Sequence, residues 1–332
     1  MNFFPQNFRF RWRDLVSTAV LGILLVFSSS CAKNPPAATP SATAAPQATL
    51  RLATYNVRNY NSIDRHIDGE FKPHWPKPEE EKTALRAVIR AAHPDVLALE
   101  EMGGDAELAE LQRDLGREGL NYSFSAIVTG PDVDPDRHVA LLSRVPLGAV
   151  HVHENIPFKL SGAANHVLRG LLEVDFTSNG RPWALYVVHL KSRLSQNAAD
   201  PQSAAEREGE ARAVRDLVRK EQSLDAGALV AVVGDFNDAR DSTPLKRFTE
   251  LDGKPLLKIA PDSDSRGETW TSVYGRADEY DRSDYILLSP SLLALQSKRG
   301  VIEDIPETAT DSDHRLVYVD LALPPDNPKR KN

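Results

Sequence analysis

The sequence predicts an α/β protein, on three observations. Strand-like apolar runs alternate with helix-like stretches from Leu50 to about Leu323, no second linker divides them, and residues suited to chemistry fall at or near strand ends. The 332-residue chain is 41% hydrophobic and 26% charged, the balance of an ordinary globular protein, which excludes a disordered or fibrous one. One cysteine excludes an intramolecular disulfide framework and a thiolate zinc site. Net charge is −7, so contact with a polyanion must come from a local patch or a bound cation.

The N-terminus carries Arg9, Arg11 and Arg13, a thirteen-residue apolar run from Leu15 to Phe27, then three serines and Cys31. That is the layout of a secretory signal over residues 1–30, and it is short for a bilayer span, which needs about 17 to 25 residues. Cys31 resembles the lipidated cysteine of a bacterial lipoprotein signal; ordinary cleavage, leaving an unmodified cysteine, is the alternative. Residues 31–49, rich in Pro, Ala and Thr, read as an extended tether, and residues 324–332 as a short basic tail. The expected location is outside the cytoplasm, on a membrane through a lipid anchor, or secreted.

Residues 50–323 read as one domain. Leu50 to Val57 is a strand ending near Asn56. Glu79 to Ala92 places Leu85, Val88, Ile89 and Ala92 on one stripe of a helix, with Pro76 and Pro78 just ahead of it. Asp95 to Leu99 is a short buried strand followed by Glu100 and Glu101. Further strands are expected at Tyr122–Val128, His138–Leu142, Val167–Phe176, Trp183–Leu190, Ala228–Val233, Tyr285–Leu288 and Leu316–Leu321, with a helix over Ala204–Arg219. Tyr60 to Trp75 is a polar-aromatic insertion, read either as a substrate-facing loop or as one packed by its own aromatics. Asp132, Asp134 and Asp136 open like a calcium loop, but Arg137 and Ser143 occupy its glycine and glutamate positions, so an acidic turn is expected.

Asn56, Glu101, His189, Asp235, Asn237, Asp284, Asp313 and His314 stand at or near strand ends, where one rim of a sheet can gather them. Each alone is a common turn or surface residue; the ordered set carries the argument. Mostly oxygen donors with no thiolate, they suit a hard cation such as Mg²⁺ or Mn²⁺ that completes its shell with water and phosphate.

The stretches ATYNVRN (Ala53–Asn59), LALEEM (Leu97–Met102), HVALLSRVPL (His138–Leu147), VVHLKS (Val187–Ser192), VVGDFND (Val232–Asp238), RSDYILLS (Arg282–Ser289) and SDHRLV (Ser312–Val317) resemble, in order, the motifs of the endonuclease/exonuclease/phosphatase superfamily. The resemblance implies a four-layer α/β sandwich, two mixed β-sheets packed face to face with helices outside, and a metal site at one rim. It implies Asn56, Glu101 and Asp313 as metal-side residues, with Glu101 ahead of Glu100, which stands where glutamine is frequent. Asp235 and Asn237 resemble the pair that orients and activates the attacking water. His314 is similar to the histidine on the scissile phosphate and Asp284 to the carboxylate fixing its tautomer. His189 resembles the histidine that contacts the phosphate and protonates the leaving group.

Arg58, Lys191, Arg193 and Arg282 are the cations expected to meet substrate. The expected activity is metal-dependent hydrolysis of a phosphodiester, DNA or RNA first. A sphingomyelinase-like or inositol-phosphate phosphatase activity is the alternative; the run Glu279-Tyr280-Asp281-Arg282 lacks the cysteine usual before that Asp-Arg pair in inositol phosphatases. A non-catalytic binding module would not require a proton acceptor, a donor and metal ligands together. No protein partner is implied, and a monomer is expected.

Overall fold

A computed structural model describes residues 49–222 and 227–323. The signal segment, Cys31, nearly all of the tether and the basic tail lie outside the described residues. The first sheet comprises β1 (Thr49–Tyr60), β2 (Val96–Met102), β3 (Phe124–Ile127), β4 (His138–Ser143), β10 (Asp262–Ser263), β12 (Gly300–Ile302) and β13 (Val317–Ala322), in the order β10-β12-β13-β1-β2-β4-β3. The second comprises β5 (Val150–His153), β6 (Leu171–Ser178), β7 (Arg181–His189), β8 (Val230–Asp235), β9 (Lys258–Ile259) and β11 (Asp284–Leu288), in the order β9-β11-β8-β7-β6-β5. Both are mixed: β1 runs parallel to β2 and β7 to β8, while β1 with β13 and β8 with β11 are antiparallel. Thr49 already pairs with Ala322, so the first strand takes in the last residue of the expected tether.

Alternation of side chains along the strands sets the layers. Leu50, Leu52, Val96 and Ala98 from the first sheet meet Leu185, Val187, Ala231, Val233, Ile286 and Leu288 from the second in a central apolar layer. The opposite face of the first sheet, with Ala53, Tyr55, Leu97 and Leu99, packs on α1 (Glu79–Ala92) and α2 (Asp105–Arg117). The opposite face of the second, with Tyr186, Val188, Val232 and Tyr285, packs on α3 (Ala204–Glu221) and α4 (Thr243–Thr249). This is the expected sandwich, helices outside two facing sheets.

Helix α1 matches its stripe residue for residue. Three glutamates fill its first turn, Arg90 its last, and His93 at φ 51° closes it by donating its N–H to Ile89 O. In α3 the carboxylate of Asp200 accepts the N–H groups of Ala204, Ala205 and Glu206 at 2.7 to 3.3 Å, satisfying donors that the helix itself leaves open. The strand forecasts hold within a few residues. Helix α2, strand β5 and several short ribbons were not expected, and the Tyr60–Trp75 insertion is a two-stranded ribbon, Ser62–Ile67 with Glu70–Pro76.

Candidate active site

The inward-facing positions that build the central layer turn polar at one end of both sheets. On β1 and β2 the apolar Leu50, Leu52, Val96 and Ala98 give way to Thr54, Asn56 and Glu100, and Asn56 is paired with Glu100 in register. On the second sheet His189, Asp235 and Asp284 stand on one rung, His189 opposite Asp235 and Asp235 opposite Asp284. All six are buried. Polar groups so placed must find partners or a ligand, because burying a bare charge is costly.

Asp235 is the hub. Its Oδ1 accepts the backbone N–H of Asn237 at 2.8 Å; its Oδ2 accepts the side-chain amides of Asn56 at 3.0 Å and Asn237 at 3.2 Å. His189 Nε2 lies 3.6 Å and His314 Nε2 3.9 Å from the same oxygen. The turn Phe236-Asn237 makes this possible, with Asn237 in the left-handed region at φ 53°. Gly234 beside it, at φ 139°, lies against β7 so closely that a Cβ would fall 1.9 Å from Val188 O.

Asp284 holds His314 through Nδ1 at 2.9 Å and 3.1 Å, and is itself fixed by Ser283 Oγ at 3.0 Å and by Thr271 Oγ1, which accepts its backbone N–H. Ser312 ties the remaining pieces: its hydroxyl donates to Asn56 O at 2.8 Å and accepts the N–H of His314 at 3.1 Å. Asp235, Asp284 and His314 form the cluster among the described residues whose ligand atoms all lie within 4.8 Å of one another.

The electrostatics separate the two histidines. Burial opposes a charge on His314, but Asp284 and Asp235 outweigh it and raise its pKa well above the ordinary value, so it is an imidazolium at neutral pH. Burial pushes His189 well below its ordinary value, and Arg169, His314, Arg137 and Lys191 push it further, so it is neutral. A neutral imidazole keeps one N–H to offer as a hydrogen-bond donor but is a poor acid at neutral pH, which bears on the proton-donor role expected of His189. Burial, then Asp284, raises Asp235 up to about 7. Burial, then Asp284, also raises Glu100 well above the carboxylate range.

Glu101 departs from the alternation through a local irregularity. The alternation that turns Glu100 inward would point Glu101 at the helices, but Glu101 sits at φ 58° where the register of β2 slips, and its Oε2 accepts the N–H of Asn59 at 2.9 Å. Asn56 Oδ1 accepts the neighbouring N–H of Arg58 at 3.0 Å, so both predicted ligands grip the same turn.

Three expected site residues stand apart from the buried cluster. Asp313 is 41% exposed and pairs with Arg58 at 3.7 Å, so it does not join the buried carboxylates. Arg282 is half-buried, pairs with Asp262 at 2.7 Å and stacks over Tyr285 at 4.8 Å, contacts that brace the fold. Lys191 donates to Ser192 O and Leu194 O and so is spent on its own loop. Arg193, held by Asp281 at 2.7 Å, lines a cavity of about 470 Å³ with Asn237, Tyr274, Asp313 and His314.

Sequence reasoning set Glu100 behind Glu101 and did not single out Arg137 or Arg169 as site residues. Arg169 is buried, 3.5 Å from Asp134, and donates to Leu190 O next to His189; Arg137 lies 3.9 Å from Glu101. For Glu100 a signal existed: it continues the inward alternation of Val96 and Ala98.

The donor set fits a hard cation. Glu100, Asp235 and Asp284 place three buried carboxyls at one mouth, and the Oε2 of Glu100 is buried with no hydrogen-bond partner. Oxygen donors and negative charge in excess of the local cations are what Mg²⁺ or Mn²⁺ would complete.

A family model described as the endonuclease/exonuclease/phosphatase family matches residues 53–314. Among solved structures, the endonuclease/exonuclease/phosphatase from Bacteroides vulgatus is similar at 16% identity, covering 83% of this chain and 99% of that one, with a TM-score of 0.58. Sphingomyelinase C from Streptomyces griseocarneus is similar at 15% identity, covering 82% and 99%, with a TM-score of 0.56. The human nocturnin catalytic domain with bound sulfate is similar at 18% identity, covering 82% and 93%, with a TM-score of 0.55. No curated protein matches the chain. At these identities the structural likenesses carry the fold, and the family match spans every residue of the buried cluster from Asn56 to His314: the chain belongs to the endonuclease/exonuclease/phosphatase family.

Proposed function

We propose that this chain is a divalent-metal-dependent phosphodiesterase of endonuclease type, acting on DNA or RNA outside the cytoplasm while anchored by lipid at Cys31. The observation that carries the chemistry is the line Asp284–His314–Asp235, a charged imidazole between two buried carboxylates, with the amides of Asn56 and Asn237 on the central one. Hydrolysis of a phosphodiester needs an acceptor for the water proton, a donor for the leaving oxygen, and positive charge where the phosphoryl oxygens gain negative charge.

Asp235 is the acceptor. Its affinity for a proton near neutral pH matches that task, and Asn237 with Asn56 keeps its Oδ2 aimed at one spot. His314 is the donor and phosphate contact, its charge kept by Asp284. Neutral His189 offers a hydrogen bond to a phosphoryl oxygen. The donors we assign to Mg²⁺ or Mn²⁺ are Glu101 and Asn56, joined by the unpartnered Oε2 of Glu100, because Asp284 is committed to His314 and Asp235 already meets several donors, while Glu101 and the amide oxygen of Asn56 each keep a lone pair beyond the one N–H they accept. When bound, the cation supplies charge stabilisation to the phosphoryl group and lowers the pKa of a coordinated water. Arg58 and Arg137 are the cations that guide the anionic substrate to an otherwise acidic chain.

A substrate panel tests the proposal: the full chain with Mg²⁺, Mn²⁺ or chelator, on plasmid DNA, RNA, sphingomyelin, inositol phosphates and a chromogenic bis-ester. Metal-dependent nicking supports it; phosphocholine release without nicking moves the activity to lipid. Fatty-acid labelling of the chain against Cys31→Ser tests the anchor, and equal labelling would remove it.

A further inference from the structure

We propose that the ribbon Ser62–Pro76 is an arm that holds a nucleic-acid strand beside the site, with Phe71 and Trp75 stacking on bases and Arg58 meeting a neighbouring phosphate. This rests on the nuclease reading above and adds to it the residues that select a polymer over a small diester.

Among the described residues the ribbon's strands pair only with each other and belong to neither large sheet. Asp68 and Gly69, at φ 52° and 82°, close it in a tight hairpin turn whose twist suits two short strands. Phe71 is 57% and Trp75 44% exposed, two large aromatics on one short element. The ring of His66 meets Phe71 edge-on at 5.5 Å and supports it. Large aromatics left exposed among the described residues mark a surface that binds something flat and apolar.

The root of the ribbon fixes where that surface lies. Arg65 donates to Asn59 O at 2.6 Å and to Trp75 O at 3.1 Å, and buried Lys77 donates to Arg58 O at 3.2 Å. These bonds grip, from outside, the turn whose N–H groups Asn56 and Glu101 grip from within. The arm therefore starts at the site.

Charge chooses the occupant. Arg58, Arg65 and Lys77 crowd this root, with Glu81 on Lys77 at 2.9 Å and Asp313 on Arg58 at 3.7 Å as the ion-pair partners, and the Arg58 side chain is 51% exposed. Crowded like charges are relieved when an anion joins them. The tip carries Asp68 and Glu70, the latter paired with Lys72, and so has no net positive charge to offer an anionic lipid surface entered tip first, while Asp64 lies nearer the root and accepts the N–H of His74. A polyanion running along the root with its bases laid on the aromatics satisfies both ends.

Kinetics of the full chain with Mn²⁺ on a short single-stranded oligonucleotide and on bis(p-nitrophenyl) phosphate test the arm, wild type against Phe71→Ala/Trp75→Ala. The expected result is a KM for the oligonucleotide raised about ten-fold or more with kcat retained, and unchanged kinetics on the small diester. Quenching of tryptophan fluorescence by the oligonucleotide in chelator should be reduced in Trp75→Phe. Unchanged oligonucleotide kinetics, an equal loss on both substrates, or loss only of binding to phosphatidylglycerol vesicles would each overturn the arm. Wild-type protein that cleaves the small diester and not the oligonucleotide would instead remove the nuclease reading on which it rests.

Discussion

Asp284 holds His314 by Nδ1 at 2.9 Å and so leaves Nε2 facing Asp235 Oδ2 at 3.9 Å. One side-chain pair thereby fixes the tautomer, the charge and the direction of the imidazole, and the site's first prediction follows from it.

Asp284→Asn removes the leading cause that raises His314. The imidazolium is present below the raised folded value and is lost as pH rises through it, so the variant should lose its charge at lower pH. The alkaline limb of the pH–rate profile should move down, and kcat should fall about 10²- to 10⁴-fold. An unchanged limb with a reduced rate would mean that Asp284 acts on something other than this charge.

Asp235, raised to about 7 by burial first, must be deprotonated to accept a proton, so activity should fall below neutral pH at limiting metal. A bound cation favours the carboxylate, so raising Mn²⁺ should move the acid limb to lower pH. The profile measured at several metal concentrations checks this, and a limb indifferent to metal speaks against the assignment.

The same burial has a stability consequence. A carboxyl whose folded pKa lies above its unfolded one favours the folded state at low pH, and that favour is lost between about pH 4 and 7. Without metal, Asp235→Asn should therefore be more stable than wild type at pH 8, by about 1–2 kcal/mol. Thermal unfolding in chelator measures it; a lower midpoint for the variant contradicts the buried charge.

Glu101→Gln should leave the fold intact and raise the Mn²⁺ concentration for half-maximal rate at least ten-fold, as expected for a lost ligand. Metal titrations of activity in this variant and in Asp284→Asn separate ligand from positioning residue: only the first should shift the midpoint strongly.

Gly234→Ala probes the scaffold. A Cβ there meets Val188 O at 1.9 Å, and φ 139° is strained for any side chain, so β7 and β8 must part. A loss of at least about 3 kcal/mol in denaturant unfolding is expected.

Much of this was legible because each motif is local. GDFN brings its own turn, RSDY and SDHR deliver Asp284 and His314, and the stripe of α1 is a period that needs no partner. What could not be read depends on tertiary pairing. Arg282 and Asp313 look like any charged residue beside a motif until Asp262 and Arg58 claim them. The roles of Glu100 and Glu101 turn on a slip in β2 that places one by alternation and the other by a left-handed residue, and no residue type in LEEM announces that slip. The two histidines differ in charge through neighbours far away in sequence: Arg169 and Arg137 for one, Asp284 and Asp235 for the other.

The most direct test of the central claim is the rate of phosphodiester hydrolysis by Asp235→Asn at saturating Mn²⁺, since the change keeps the shape of the hub and removes its ability to accept a proton. A rate lower than wild type by about 10²-fold or more, in protein shown to be folded, is predicted. A rate within a few-fold of wild type would contradict it.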